Sequence, residues 1–122
     1  NAANAERVSG IVGIAADTTI DGCVLDADIE NGACLAGICS GANSATLIIK
    51  NCKVNSTLKT VKSTTCAAIA HNIETGLQIL NCQIKGGYET ASGSATWTGA
   101  EGDFYIAKSG KTVTFTGNSL WK

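Results

Sequence analysis

Apolar side chains in this sequence fall at every second position of short runs, and the runs themselves return along the chain. Three segments share one template: Thr18-Thr-Ile-Asp-Gly-Cys23-Val-Leu25, Leu47-Ile-Ile-Lys-Asn-Cys52-Lys-Val54 and Leu77-Gln-Ile-Leu-Asn-Cys82-Gln-Ile84, with their cysteines 29 and 30 residues apart. A fourth copy, Val113-Thr-Phe-Thr-Gly-Asn118-Ser-Leu120, keeps the apolar positions and carries Asn in the Cys place 36 residues on. Terminal repeats are usually the degenerate ones. A spacing of two marks strands with one face in a core, and self-similarity at a period of about thirty residues marks a stacked repeat architecture.

Each template has an upstream partner built from small residues: Gly10-Ile-Val-Gly-Ile-Ala15, Cys34-Leu-Ala-Gly-Ile-Cys39, Thr65-Cys-Ala-Ala-Ile-Ala70 and Asp103-Phe-Tyr-Ile-Ala107. Aligned, they put Ile14, Ile38, Ile69 and Ile106 in one column, with Val12, Ala36, Ala67 and Phe104 two residues earlier. Downstream of each cysteine, Leu25, Ala27 and Ile29 match Val54, Ser56 and Leu58, and then Ile84, Gly86 and Tyr88, as inward positions. The outward columns then set Asp26 and Lys85 on either side of Asn55, and Glu30 and Glu89 on either side of Lys59. Strands about 4.8 Å apart favour that alternation of sign.

Three short strands per repeat, stacked in one direction, predict an all-β fold: a right-handed parallel β-helix, or β-solenoid, of about four coils in a single domain over 1–122. The coils are expected near 8–31, 32–61, 62–90 and 91–122. Residues 1–8 read as an N-terminal capping turn, the one stretch whose composition permits helix, or as the end of an upstream coil. Elsewhere the period of two and the many β-branched residues argue against helix.

Composition refines this picture. A chain of 122 residues suits one domain burying roughly two thirds of its unfolded surface. A net charge of −1 without a Lys/Arg run leaves no electrostatic footprint for nucleic acid. No stretch approaches the ~20 apolar residues of a membrane span. The absence of an initiator Met and of a charged-then-apolar leader leads us to expect a mature chain or an excised piece. All six cysteines precede position 83 and all six aromatics follow position 87. The middle coils are therefore expected to be filled by Cys, Ala, Ile and Val, and the last coil to be closed by Phe104, Phe115 and Trp121.

Six cysteines in a short chain suggest an oxidising compartment and a disulfide framework. Yet Cys23, Cys52 and Cys82 occupy equivalent places in successive coils, where their Cβ vectors would point the same way. A buried ladder of free thiols acting as small hydrophobes is expected for these three. A bridge such as Cys34 to Cys66 stays open. No C-x-x-C pair exists, and the single His71 has no second His with which to hold a metal, so it reads as a solvated loop residue.

Asp26-Ala-Asp-Ile-Glu30-Asn-Gly32 has the alternating acids of a calcium loop, with Asp26, Asp28 and Glu30 as the ligands if it binds. Its Gly falls one place late and position 37 is Gly instead of Glu, so outward carboxylates on a half-buried strand explain the same residues. Asp17 and Asp21 find no matched acids in the other copies. With Arg7 as the sole Arg and little length for a substrate groove, no catalytic residue, cofactor or enzymatic activity is expected. Trp97, Tyr105 and Trp121, with Tyr88, could form a sugar-stacking platform, because aromatic faces pack against pyranose C–H surfaces. The competing reading is that large aromatics cover the end of the core and its strand edges. Trp97 lies in a Ser/Thr/Gly-rich insert, Thr90 to Gly102, free to serve as either. Asn55-Ser-Thr57 is a formal N-glycosylation sequon.

The unit Cys-Leu-Ala-Gly-Ile followed by Ile-Ile-Lys-Asn-Cys-Lys-Val resembles the GLUG-type repeats of bacterial surface proteins, in which a Gly-rich apolar strand leads to an Ile-x-Asn-Cys-x-Val element. The likeness covers Ser9 to Gly87 and, more loosely, Phe104 to Leu120. It departs at Ala67-Ala68, where the Gly pair is eroded, and at Asn118. The resemblance implies an exported, extracellular module at a bacterial cell surface, structural or adhesive, with a host or cell-surface protein or glycan as partner, and brings no catalytic residues. Carbohydrate binding through Trp97, Tyr105 and Trp121 is the alternative, and a fragment of a polysaccharide-active β-helix enzyme is a third. Open coil ends and strand edges add end-to-end or edge self-association as a partner mode.

Overall fold

Short aliphatic runs punctuated by Gly, Asn and Ser are too brief for helices, and they pair with their own copies in neighbouring repeats. The computed structural model describes residues 7–9, 11, 19–30, 34–39, 46–60, 66–74 and 76–121. The first repeat supplies β1 (Arg7–Val8), β2 (Thr19–Asp21), β3 (Val24–Asp26) and β4 (Ile29–Glu30). The second supplies β5 (Cys34–Ala36), β6 (Leu47–Lys50) and β7 (Lys53–Lys59). The third supplies β8 (Cys66–Ala67), β9 (Ala70–Ile73), β10 (Leu77–Leu80) and β11 (Gln83–Thr90). Beyond it come β12 (Gly93–Thr96), a one-turn helix α1 (Glu101–Phe104), β13 (Tyr105–Ala107), β14 (Val113–Thr116) and β15 (Ser119–Leu120).

The fold is all-β, with sheets that run across the repeats. One has the order β1-β5-β8, a second β2-β6-β10-β14, and a third β3-β7-β11-β12, in which β4 also pairs β7 and β15 pairs β11; β9 and β13 form a fourth. Pairings between repeats are parallel, whereas β11 and β12 form an antiparallel hairpin. Ile20, Ile49, Ile79 and Phe115 stand in one row, and Leu25, Val54, Ile84 and Leu120 in another. Both rows match the columns read from the sequence. Ile20, Ile49, Ile79, Val54 and Ile84 are buried, and each such side chain contributes roughly 1.5–3 kcal/mol of transfer free energy. Among the described residues, no helix is long and apolar enough to cross a membrane.

The step between the second and third sheets is made the same way four times. Gly22, Asn51, Asn81 and Gly117, each just before the Cys position, have φ of 73°, 56°, 54° and 73°. Side chains on L-residues disfavour this left-handed region, with Gly and Asn the usual exceptions. That is why only Gly and Asn stand at this corner.

Several expectations change. Phe104, not Ile106, continues the Ile38–Ile69 column: the Ile69 amide donates to the Phe104 carbonyl at 3.0 Å and Tyr105 pairs Ala70. Ile106 is only half-buried and outside the core. A slip of two residues preserves which side faces in. The larger Phe104 ring, fully buried and edge-on to Phe115 at 5.0 Å, covers more of the end of the core than Ile106 would. Ile14 lies outside the described residues, as do 1–6. Arg7–Val8, not Gly10–Ile11, pairs with Cys34–Leu35, and is strand, not helix; a two-residue edge pairing specifies register weakly. The short helix falls instead in the insert, at α1, after β12 has folded back on β11.

Candidate functional site

Cys23, Cys52 and Cys82 occupy equivalent positions just after the corner, and neither these three nor Cys66 forms a disulfide. With Cys66 free, no Cys34–Cys66 bridge forms. The Cys52 thiol donates to the Lys50 carbonyl at 3.2 Å and reaches the Ile20 carbonyl at 3.8 Å; the Cys82 thiol reaches Leu80 and Ile49 carbonyls at 3.5 and 3.6 Å. The neighbouring Cys82, and then burial, push the Cys52 thiol well above its ordinary value. Burial alone pushes Cys66 up to about 11. Cys52 and Cys66 are thereby held protonated as packing groups, whereas the hydrogen bond from Cys52 lowers the Cys82 thiol.

The three carboxylates of the calcium reading face the next strand instead of a common point. Asp26 accepts from the Asn55 amide at 3.1 Å and Asp28 from the Thr57 backbone amide at 3.1 Å, while Glu30 pairs in register with Lys59. The first of these bonds also engages the sequon's Asn55. Among the described residues, no three His, Cys, Asp or Glu side chains gather as a metal site. His71 corrects another expectation: it lies in β9, 7% exposed, and burial lowers its pKa.

The aromatics of the proposed platform separate into three neighbourhoods. Trp97 is 4% exposed and packs on Tyr88 with ring centroids 5.0 Å apart, so it has no free face for a sugar. The Trp97 amide donates to the Gly86 carbonyl at 2.9 Å, and Gly87, where a Cβ would collide with the Ala95 carbonyl, lets β12 come this close. Tyr105 packs 6.0 Å from Phe115 and its hydroxyl donates to the Glu101 carboxylate. Burial and that carboxylate raise its pKa to about 12. Among the described residues, no ring contact joins any two of Trp97, Tyr105 and Trp121.

Trp121 is half-buried at a surface. Its amide donates to the Ile84 carbonyl at 2.7 Å, which sets it beside Lys85 on the outward side of the third sheet. Lys85 Nζ lies 5.2 Å and Lys53 Nζ 5.6 Å from its ring centre, both within the roughly 6 Å reach of a cation–π contact. Lys53, Gln83, Ser119, Leu120 and Trp121 line a shallow groove of about 440 Å³. The sequence columns contain part of this signal, since Trp121 follows Leu120 as Lys85 follows Ile84, whereas no motif marks Lys53. Comparison with protein-family models, curated proteins and solved structures finds no match to this chain.

Proposed function

We propose that the chain is a non-enzymatic, right-handed β-solenoid module of about four coils from an exported bacterial surface protein, serving as a rigid spacer or adhesive surface. One observation carries this reading: the strands of the repeats pair in parallel and in the register of their internal alignment, so that equivalent residues such as Ile20, Ile49 and Ile79 stand one above another. Such stacking gives a rigid element whose outward positions form flat, polar rows. The likeness of its repeat unit to GLUG-type repeats supports a place at the cell surface. Separation of Trp97, Tyr105 and Trp121 weighs against a three-aromatic sugar platform.

Two measurements test the proposal. Nuclear Overhauser contacts between Cα protons should link the strand of Ile49 to those of Ile20 and Ile79 at once; their absence overturns the stacked fold. The purified chain should release no reducing ends from a panel of plant and bacterial polysaccharides. Steady release, abolished by boiling, overturns the non-enzymatic reading. Fractionation of the natural host should find the protein outside the cytoplasm.

A further inference from the structure

The surface of a parallel stack brings together side chains distant in sequence, and one such meeting has the chemistry of a ligand site. Lys53, Lys85 and Trp121 come from three successive repeats, yet both ammonium groups lie against a single indole ring. One ammonium suffices to satisfy a ring face; a second adds like-charge repulsion that an anion would relieve. Among the described residues neither lysine has a carboxylate partner, whereas Lys50 pairs with Asp21 at 3.9 Å and Lys108 with Glu74 at 3.7 Å. The nearest acid in the Lys85 row, Asp26, stands two strands away and is engaged by Asn55.

We propose that the groove around Trp121 binds an acidic saccharide, a pyranose bearing a carboxylate. The half-buried indole offers a fixed apolar face for the sugar's C–H side. Lys53 and Lys85 supply charge-assisted hydrogen bonds to the carboxylate. Gln83 and Ser119, in the same groove, provide an amide and a hydroxyl for ring hydroxyls. A flat aromatic base is less suited, because the groove has one ring on one side and no second ring to close over it. The inference deepens the adhesive reading and rests on it for the stacked strands that hold the three residues in place.

The test uses the whole chain carrying Trp97→Phe, so that Trp121 is the single fluorescent indole, titrated with trigalacturonic acid, galactotriose, uridine monophosphate and sodium sulfate. The expected result is a saturable change in Trp121 emission with trigalacturonic acid in the micromolar to millimolar range, at least tenfold tighter than with galactotriose and weakening as salt rises. Lys53→Gln with Lys85→Gln should weaken binding tenfold or more, and Trp121→Ala, followed by calorimetry, should abolish it. Circular dichroism and urea midpoints of each variant confirm that the fold persists, which separates loss of the site from failure of the stacked fold. No saturable binding of trigalacturonic acid by 10 mM, undiminished binding in Trp121→Ala, or tighter binding of uridine monophosphate or sulfate would each overturn the proposal.

Discussion

The side-chain amide of Asn118 donates to the Ile79 carbonyl at 2.9 Å, the same contact, one repeat on, that the Cys82 thiol makes with Ile49 and the Cys52 thiol with Ile20. Its oxygen also accepts from the Cys82 amide at 2.8 Å. The fourth repeat thus keeps the bond while changing the residue, at a position that is half-buried where Cys52 and Cys82 are buried and that tolerates a stronger donor. Asn118→Ala should lower stability by about 1–3 kcal/mol, the cost of leaving part-buried partners unsatisfied. Asn118→Cys should lose less, because a thiol still reaches the Ile79 carbonyl. Urea midpoints of the two variants check the order, and equal midpoints would show that the retained bond contributes nothing.

At the corners, backbone conformation and side-chain bonding can be separated. Asn81 holds φ of 54°, so Asn81→Ala should cost about 1–2 kcal/mol while Asn81→Gly stays near neutral. Asn51 also donates to Asp21 at 2.9 Å, so Asn51→Gly should cost more than Asn81→Gly. Thermal melts of these variants measure the difference.

Glycines here differ by what surrounds them. Gly86 has φ of 105° and a Cβ there would strike the Ser56 backbone, so Gly86→Ala should destabilise by at least about 1–3 kcal/mol and loosen Trp97, seen as a red shift of its emission. Gly102, within α1, has nothing within 4 Å of the place a methyl group would take, and Gly102→Ala should be neutral or stabilising by up to about 1 kcal/mol.

Stability should fall on both sides of neutrality. Cys66 titrates at about 11 in the fold against an ordinary 9, so between those values the unfolded chain loses its proton first and stability declines as pH rises. His71, lowered by burial, resists protonation in the fold, so stability also declines as pH drops below about 6.5. Urea midpoints from pH 5 to 10.5 should trace a plateau with two falling limbs, and Cys66→Ala should make the alkaline one shallower, the raised Cys52 thiol supplying the rest. At pH 8, the partly exposed Cys23 should react with a thiol reagent ahead of Cys52 and Cys82.

Most of the strand pairing was legible in the chain. The template around Cys23, Cys52 and Cys82 carries both its alternation and its Gly/Asn corner, and these two local features define the register observed between β2, β6, β10 and β14. The end of the fold was not legible in the same way. Ile106 and Phe104 differ by two residues, a shift to which a period of two is blind, and the choice between them depends on packing against Phe115 in the fourth repeat.

By itself the sequence determined the repeat, its period and the inward rows of Ile20 and Leu25 with their copies, because side-chain alternation and left-handed corners are properties of neighbouring residues; Ala27, read as inward, is exposed, and Gly87, read as outward, is buried. Tertiary structure decided what each aromatic packs against. The hairpin of β11 and β12 buries Trp97, Glu101 ties down Tyr105, and Trp121 is left half-buried at the surface with Lys53 and Lys85 against its ring. Exposure of a large ring depends on what folds back over it, and that is a relation between distant segments that local patterning does not encode.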